Sequence, residues 1–147
     1  MPYTGSQAQP GRGSTISIGT SSPPVIGEVA DITLNRGKWD FANTTNLQSG
    51  SDEEMLAVIR KAAQMTLKGN RVDTDAGQIA VEAAYQAGSL QTFVIQLPKT
   101  AAQTTIGDKY TFTAYVDSSD FTISPTKQIE FTMQLQTSGA ITLTAGS

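Results

Sequence analysis

Only one stretch of this 147-residue chain has the spacing and end signals of a sustained helix, Gly69 to Gly88, and the residues around it read as strand and turn. Asp73, Thr74 and Asp75 offer side-chain oxygens to the unpaired N–H groups of a first turn, and their charge suits its dipole. Ile79, Ala80, Ala83 and Ala87 recur at helical spacing, so a stripe of small side chains can lie close against a sheet. Gly88 stands where a left-handed residue closes a helix. The expectation is one helix, about residues 75–87, flanking a β-scaffold.

Two long segments near the C-terminus alternate most cleanly. Tyr110, Phe112, Ala114 and Val116 alternate with Thr111, Thr113, Tyr115 and Asp117. Ile129, Phe131, Met133 and Leu135 alternate with Glu130, Thr132, Gln134 and Gln136, and Ile141 and Leu143 extend the pattern past Ser138-Gly139. Each segment has one apolar face for a core and one face of Thr, Gln and single acids. Shorter strands are expected over Ser14–Thr20 with Ile16 and Ile18 inward, Val25–Asn35, Ala63–Val72 with Met65 and Leu67 inward, and Leu90–Leu97 before Pro98. In Val25–Asn35 the Glu28, Ala30, Ile32, Leu34 face is mainly apolar; Glu28 and Val29 break the alternation, which predicts a bulge or a two-sided environment there. The fold class is mainly β, an antiparallel β-sandwich or partial barrel of about seven strands with one flanking α-helix.

Length allows one domain with a core that needs no staples. Residues 1–13, with Pro2, Pro10 and few apolar side chains, read as a flexible N-terminal arm, and residues 14–147 as a single β domain. Residues 36–52 interrupt the pattern as a long protruding loop, polar throughout except for Trp39, Phe41 and Leu47. Either its aromatics fold back onto the domain as a hairpin or Ω-loop, or it orders against another subunit. In the second case Arg36, Lys38, Trp39, Asp40, Phe41 and Leu47 are the candidate contacts. Asp52 to Lys61, with acids first and bases last, reads as a short helical turn.

Little in the chain can carry chemistry. It has no cysteine and no histidine, which removes thiolate metal sites and the usual general base. The carboxylate clusters Asp52/Glu53/Glu54 and Asp73/Asp75 each precede a possible helix, where capping accounts for them better than acid–base work. Asp73-Thr74-Asp75-Ala76-Gly77 lacks the downstream bidentate Glu of a calcium loop, and the glycines near Arg12 form no phosphate loop. No enzyme, metal or cofactor is expected. A net charge of −3 argues against general nucleic-acid affinity, and no long apolar run or signal peptide suggests a membrane or export. Thr occurs 20 times and Gln 12 times against 10 Lys plus Arg, which suits strands whose solvated faces are neutral.

Lys68-Gly69-Asn70-Arg71-Val72, Asp75-Ala76-Gly77-Gln78-Ile79-Ala80 through Ala87-Gly88, and Phe93-Val94-Ile95-Gln96-Leu97-Pro98-Lys99 together resemble phage tail tube proteins. So does Asp108-Lys109-Tyr110-Thr111-Phe112 running to Phe121-Thr122-Ile123-Ser124-Pro125-Thr126-Lys127. The likeness covers residues 14–147. It is closest to the major tail tube subunit of long non-contractile tails, similar to the N-terminal domain of the lambda tail tube protein. It extends to contractile tails and the type VI secretion tube. The resemblance implies a virion structural protein forming stacked hexameric rings, a conduit for DNA. Its implied partners are further copies of itself and the tape-measure, tail terminator and distal tail or baseplate proteins. DNA would pass in transit only, and the site of assembly would be the host cytoplasm. A secretion-system tube subunit and a carbohydrate-binding or adhesin sandwich remain as alternatives; the latter should show an aromatic patch on one sheet face.

The residues agree with that implication. Open-edged strands pair with neighbours unless blocked, and head-to-tail pairing around a closed rotation makes a ring. Six subunits giving four strands each make about 24 strands, which at ~4.8 Å spacing and ~40° tilt enclose a barrel roughly 40–50 Å across. Thr111, Thr113, Tyr115, Asp117, Glu130, Thr132, Gln134 and Gln136 are the candidates to face its lumen. No base stands among these eight, so the wall they make should not grip phosphate.

Overall fold

The computed structural model describes residues 11–19, 24–48, 50–99 and 103–146; most of the expected N-terminal arm, residues 1–10, lies outside them. Alternating sequence becomes strand nearly wherever it occurs. In chain order the elements are β1 (Thr15–Ile18), β2 (Val29–Asn35), β3 (Trp39–Asn43), β4 (Met55–Arg60), β5 (Gln64–Asn70), α1 (Ala76–Ala87), β6 (Gln91–Gln96), β7 (Lys109–Thr122) and β8 (Glu130–Thr144). Six strands form one antiparallel sheet in the order β1-β6-β7-β8-β5-β2, while β3 and β4 pair only with each other. The two edge strands of the large sheet curl toward one another. The Ile26 N–H donates to the Ile16 carbonyl at 2.8 Å, and Ser17 bridges Val25. The result is a mainly β half-barrel with a separate two-stranded ribbon and one helix.

The inward residues of the alternation fill the half-barrel. Ile16, Met65, Leu67, Phe93, Phe131 and Leu135 are among its fully buried side chains, and the Phe93 and Phe112 rings stack at 5.8 Å. Each such side chain contributes about 1.5–3 kcal/mol by leaving water. The helix packs on β7 and β1. Three register shifts bend this frame, between Val29 and Asp31 on β2 and at Thr111/Thr113 and Val116/Ser118 on β7. The first is the expected bulge. Glu28 takes a left-handed φ of 56°, and its carbonyl passes so close to Gly69 that a Cβ there would lie 2.1 Å away. The extra residue swaps the faces, so that Val29 turns inward with Ile32 and Leu34 while Ala30 is exposed, contrary to the strict alternation.

Two expectations need correction. The helix has the expected ends: Asp75 caps it by accepting from the Gln78 N–H, and Gly88 closes it at φ 63°. Its buried face, however, is Gly77, Gln78, Val81 and Ala84, not the Ile79, Ala83, Ala87 stripe. Gly77 sets this rotation, since a Cβ there would stand 2.4 Å from the Val25 carbonyl oxygen, and Ile79 is left 54% exposed. Gln78 occupies the inner face because its amide has fixed partners. It donates to the carbonyls of Gly27 at 2.9 Å and Asn70 at 3.0 Å and accepts from the Val72 N–H at 2.9 Å. The second correction concerns Asp52 to Lys61, which forms no helical turn. Met55-Leu56-Ala57-Val58-Ile59-Arg60 is strand β4, its β-branched side chains stiff at χ1 and suited to a pleated ribbon.

Candidate assembly and wall surfaces

Cross-strand pairing brings the candidate wall residues together. Thr111, Thr113 and Tyr115 on β7 and Glu130, Thr132, Gln134 and Gln136 on β8 all lie on the face turned from the core, since directly opposed residues of an antiparallel pair share a face. Asp117 is exposed in the β7 bulge, and Ser118 takes the position opposite Gln134. The bulge also reverses the remainder of β7: Ser119 and Phe121 stand opposite core residues Met133 and Phe131, while Asp120 stands opposite Thr132.

This face is wider than β7 and β8. Row by row across β2, β5, β8 and β7 it reads Asn35–Gln64–Gln136–Tyr115, Thr33–Thr66–Gln134–Ser118, and Asp31–Lys68–Thr132–Asp120. Within the first row the Gln64 side-chain amide donates to the Gln136 side-chain oxygen Oε1 at 3.1 Å. Four strands thus present a nearly uniform surface of hydroxyls and amides, with Tyr115 as the aromatic of these rows. The rows also contain a base. Lys68 is exposed in mid-sheet, with Asp31 directly opposite on one side and Asp120 beyond Thr132 on the other. Alternation alone puts Lys68 on the polar face of β5 with Gln64 and Thr66, but only the strand order joins that face to those of β7 and β8.

The loop candidates fall along the β3–β4 ribbon rather than in an irregular loop. Arg36 and Lys38 stand at its root, Trp39, Asp40 and Phe41 in β3, and Leu47 is fully exposed near the tip. The connection is tied by local bonds: the Thr44 N–H donates to the Glu54 carbonyl at 2.9 Å, and the Glu54 N–H to the Thr45 hydroxyl at 2.9 Å. The aromatics do not fold back in the isolated chain. One ribbon face carries Trp39, Phe41 and Met55, the other Leu56 and Ile59, and every one of these is about half exposed or more. A two-stranded ribbon that is apolar on both faces has no core of its own.

Three further features complete the surface. An open groove of about 720 Å³ runs between the edge strands β1 and β2, where Ile16, Ile32, Leu34, Ile95 and Tyr110 line it. Asp75 belongs to the fold: besides capping the helix, its carboxylate accepts from the Gly27 N–H at 3.0 Å. Among the described residues no group of Asp, Glu, His or Cys is placed to hold a metal ion, and no helix is long and apolar enough to cross a membrane.

No protein-family model matches the chain, and no curated protein does. Solved structures match its fold along almost its whole length. A chain from the tail of the empty gene transfer agent particle, a structure with C6 symmetry, superposes with a TM-score of 0.75 at 18% identity, covering 94% of this chain and 100% of that one. The SPP1 tail tube gives 0.71 at 19% identity, covering 95% and 80%. A chain of the sheath–tube complex of an extracellular contractile injection system, PVC, in its extended state gives 0.70 at 12% identity, covering 94% and 92%.

Proposed function

The tail tube fold of this chain is the premise from which we propose its function: a non-enzymatic virion subunit that closes into hexameric rings and stacks them into a phage tail tube, the conduit for DNA ejection. The observation that carries this reading is the face spanning β2, β5, β8 and β7. It is four strands wide, solvated and dominated by Thr, Gln and Asn, the composition of a wall that DNA passes without being held. Residues 14–147 act as one unit. Its partners are further copies of itself, a tape-measure protein, a tail terminator and distal tail or baseplate proteins, and its place is the tail of the particle. The likeness to the PVC sheath–tube complex favours a second reading, the tube of a contractile injection system. Concentrated purified protein should show rings or tubes by negative-stain microscopy. A species that light scattering finds monomeric at every concentration, even beside its tail partners, counts against both readings.

The ribbon gives a second test. Its backbone amides should exchange rapidly in the monomer and become protected in tubes, because both apolar faces are covered only there. Trp39→Ala should raise the concentration needed for tubes about tenfold while leaving the monomer's melting temperature within ~1 °C, since Trp39 is half exposed and its strand pairs only with β4. Equal protection in monomer and tube would mean that the ribbon is covered within its own subunit.

A further inference from the structure

We infer that the acidic tip of the ribbon docks into a basic depression at the ribbon root of a second copy of this chain; the inference rests on the tube-subunit reading. The ribbon is electrically polarised along its length. Asp52, Glu53 and Glu54 lie together at its far end. Its root carries Arg36, Lys38, Arg60 and Lys61, and the Lys61 N–H donates to the Lys38 carbonyl at 2.7 Å, which holds the two root segments together. Beside the root is a depression of about 250 Å³ lined by Arg36, Trp39, Arg60, Lys61 and the Gly139–Ile141 stretch of β8. Among the described residues the one ion pair at the root is Lys61–Asp40 at 3.6 Å, between half-exposed groups. The tip acids have no ion-pair partner among the described residues.

A tip cannot fill its own root. The six residues of β4 extend it about 20 Å away at ~3.4 Å per residue. A second copy offers the matching end, and because each copy has one tip and one root, the contact repeats without being used up. Exposed ion pairs contribute little affinity individually. Here they set orientation and register, while the apolar ribbon faces, laid along the neighbour, supply the buried area.

The test reverses each end and then both, reading tube formation by sedimentation and microscopy. Glu53→Lys with Glu54→Lys, and separately Arg60→Glu with Lys61→Glu, should each raise the critical assembly concentration at least about tenfold, and the four substitutions together should bring it back to within about threefold of wild type. Unchanged monomer melting curves in all variants keep misfolding out of the comparison. A wild type that forms no ring or tube overturns the tube-subunit reading itself. A wild type that assembles beside an equally competent tip variant overturns the docking alone, as does loss at both ends without recovery in the combination. A root variant that assembles normally but loses binding of a duplex oligonucleotide assigns the depression to phosphate, and that also overturns the inference.

Discussion

Gln78→Leu is expected to destabilise the monomer by about 3–5 kcal/mol, a fall in melting temperature of roughly 10–15 °C for a chain of this size. Leucine nearly matches glutamine in volume, so no large cavity opens. The loss is polar. Gln78 is 7% exposed, and its amide satisfies two carbonyls and one N–H belonging to the start of β2, the end of β5 and the approach to α1. With leucine all three groups lose their partner in a place water reaches poorly, at about 1–3 kcal/mol each, less where the chain can adjust. Gln86→Leu is the control. That amide bonds Glu82 at 3.1 Å on an exposed face, and its loss should move stability by less than about 0.5 kcal/mol. Thermal melts of both variants followed by circular dichroism make the comparison. A Gln78→Leu change below about 1 kcal/mol would show that ordered water replaces the amide and that the clamp is dispensable.

The largest functional effect is expected from Gln134→Lys. Gln134 is exposed between Thr66 and Ser118 in the middle of the polar face, so the substitution should leave folding and assembly intact. If that face lines a sixfold tube, each ring gains six cations. Each phosphate neutralised adds about 0.9 to the salt slope of duplex binding, so two contacts in each of five rings give a slope of about nine. DNA should then leave particles slowly at low salt and faster at high salt. Failure to assemble would place Gln134 in a subunit contact. Ejection that matches wild type at every salt concentration would place this face on the outside of the tube. Lys68 provides the contrast within the same face. A lysine already stands two residues away on β5 from Gln134's partner Thr66, but with Asp31 opposite it and Asp120 in the same row. Position 134 has hydroxyls on either side, so an added cation there would meet phosphate without a competing carboxylate.

What could be read from the sequence followed period and end signals. The inward residues of β1, β5, β6, β7 and β8 were legible because two-residue alternation has one solution once a core exists. Asp75 and Gly88 marked the helix ends because few residue types meet the demands of those positions. The helix face was misread because counting apolar side chains cannot reveal a buried glutamine whose partners come from residues 27 and 70, far away in the chain. The apolar run Met55 to Ile59 has the length of a strand and of a helical turn, and nearby acids tipped the reading toward helix; its partner β3 decides for strand. The polar face was half legible. Its β7 and β8 residues followed from alternation, but Lys68, Asp31 and Asp120 joined it only through strand order and bulges, which depend on pairing across the sheet.

The slender attachment of the ribbon has a mechanical consequence. It leaves the half-barrel through residues 36–38 and 61–63 alone, and β3 and β4 hydrogen-bond to no other strand. At Gly37, φ is +84° and a Cβ would lie 2.2 Å from the Lys61 carbonyl oxygen, so the two root segments touch closely there. The six-stranded sheet, cross-braced by its full ladder and filled core, is stiff by comparison. If subunits stack through these ribbons, curvature of the filament would concentrate at the narrow stems, like links in a chain. The filament could flex along its length while each cross-section kept a round, constant bore.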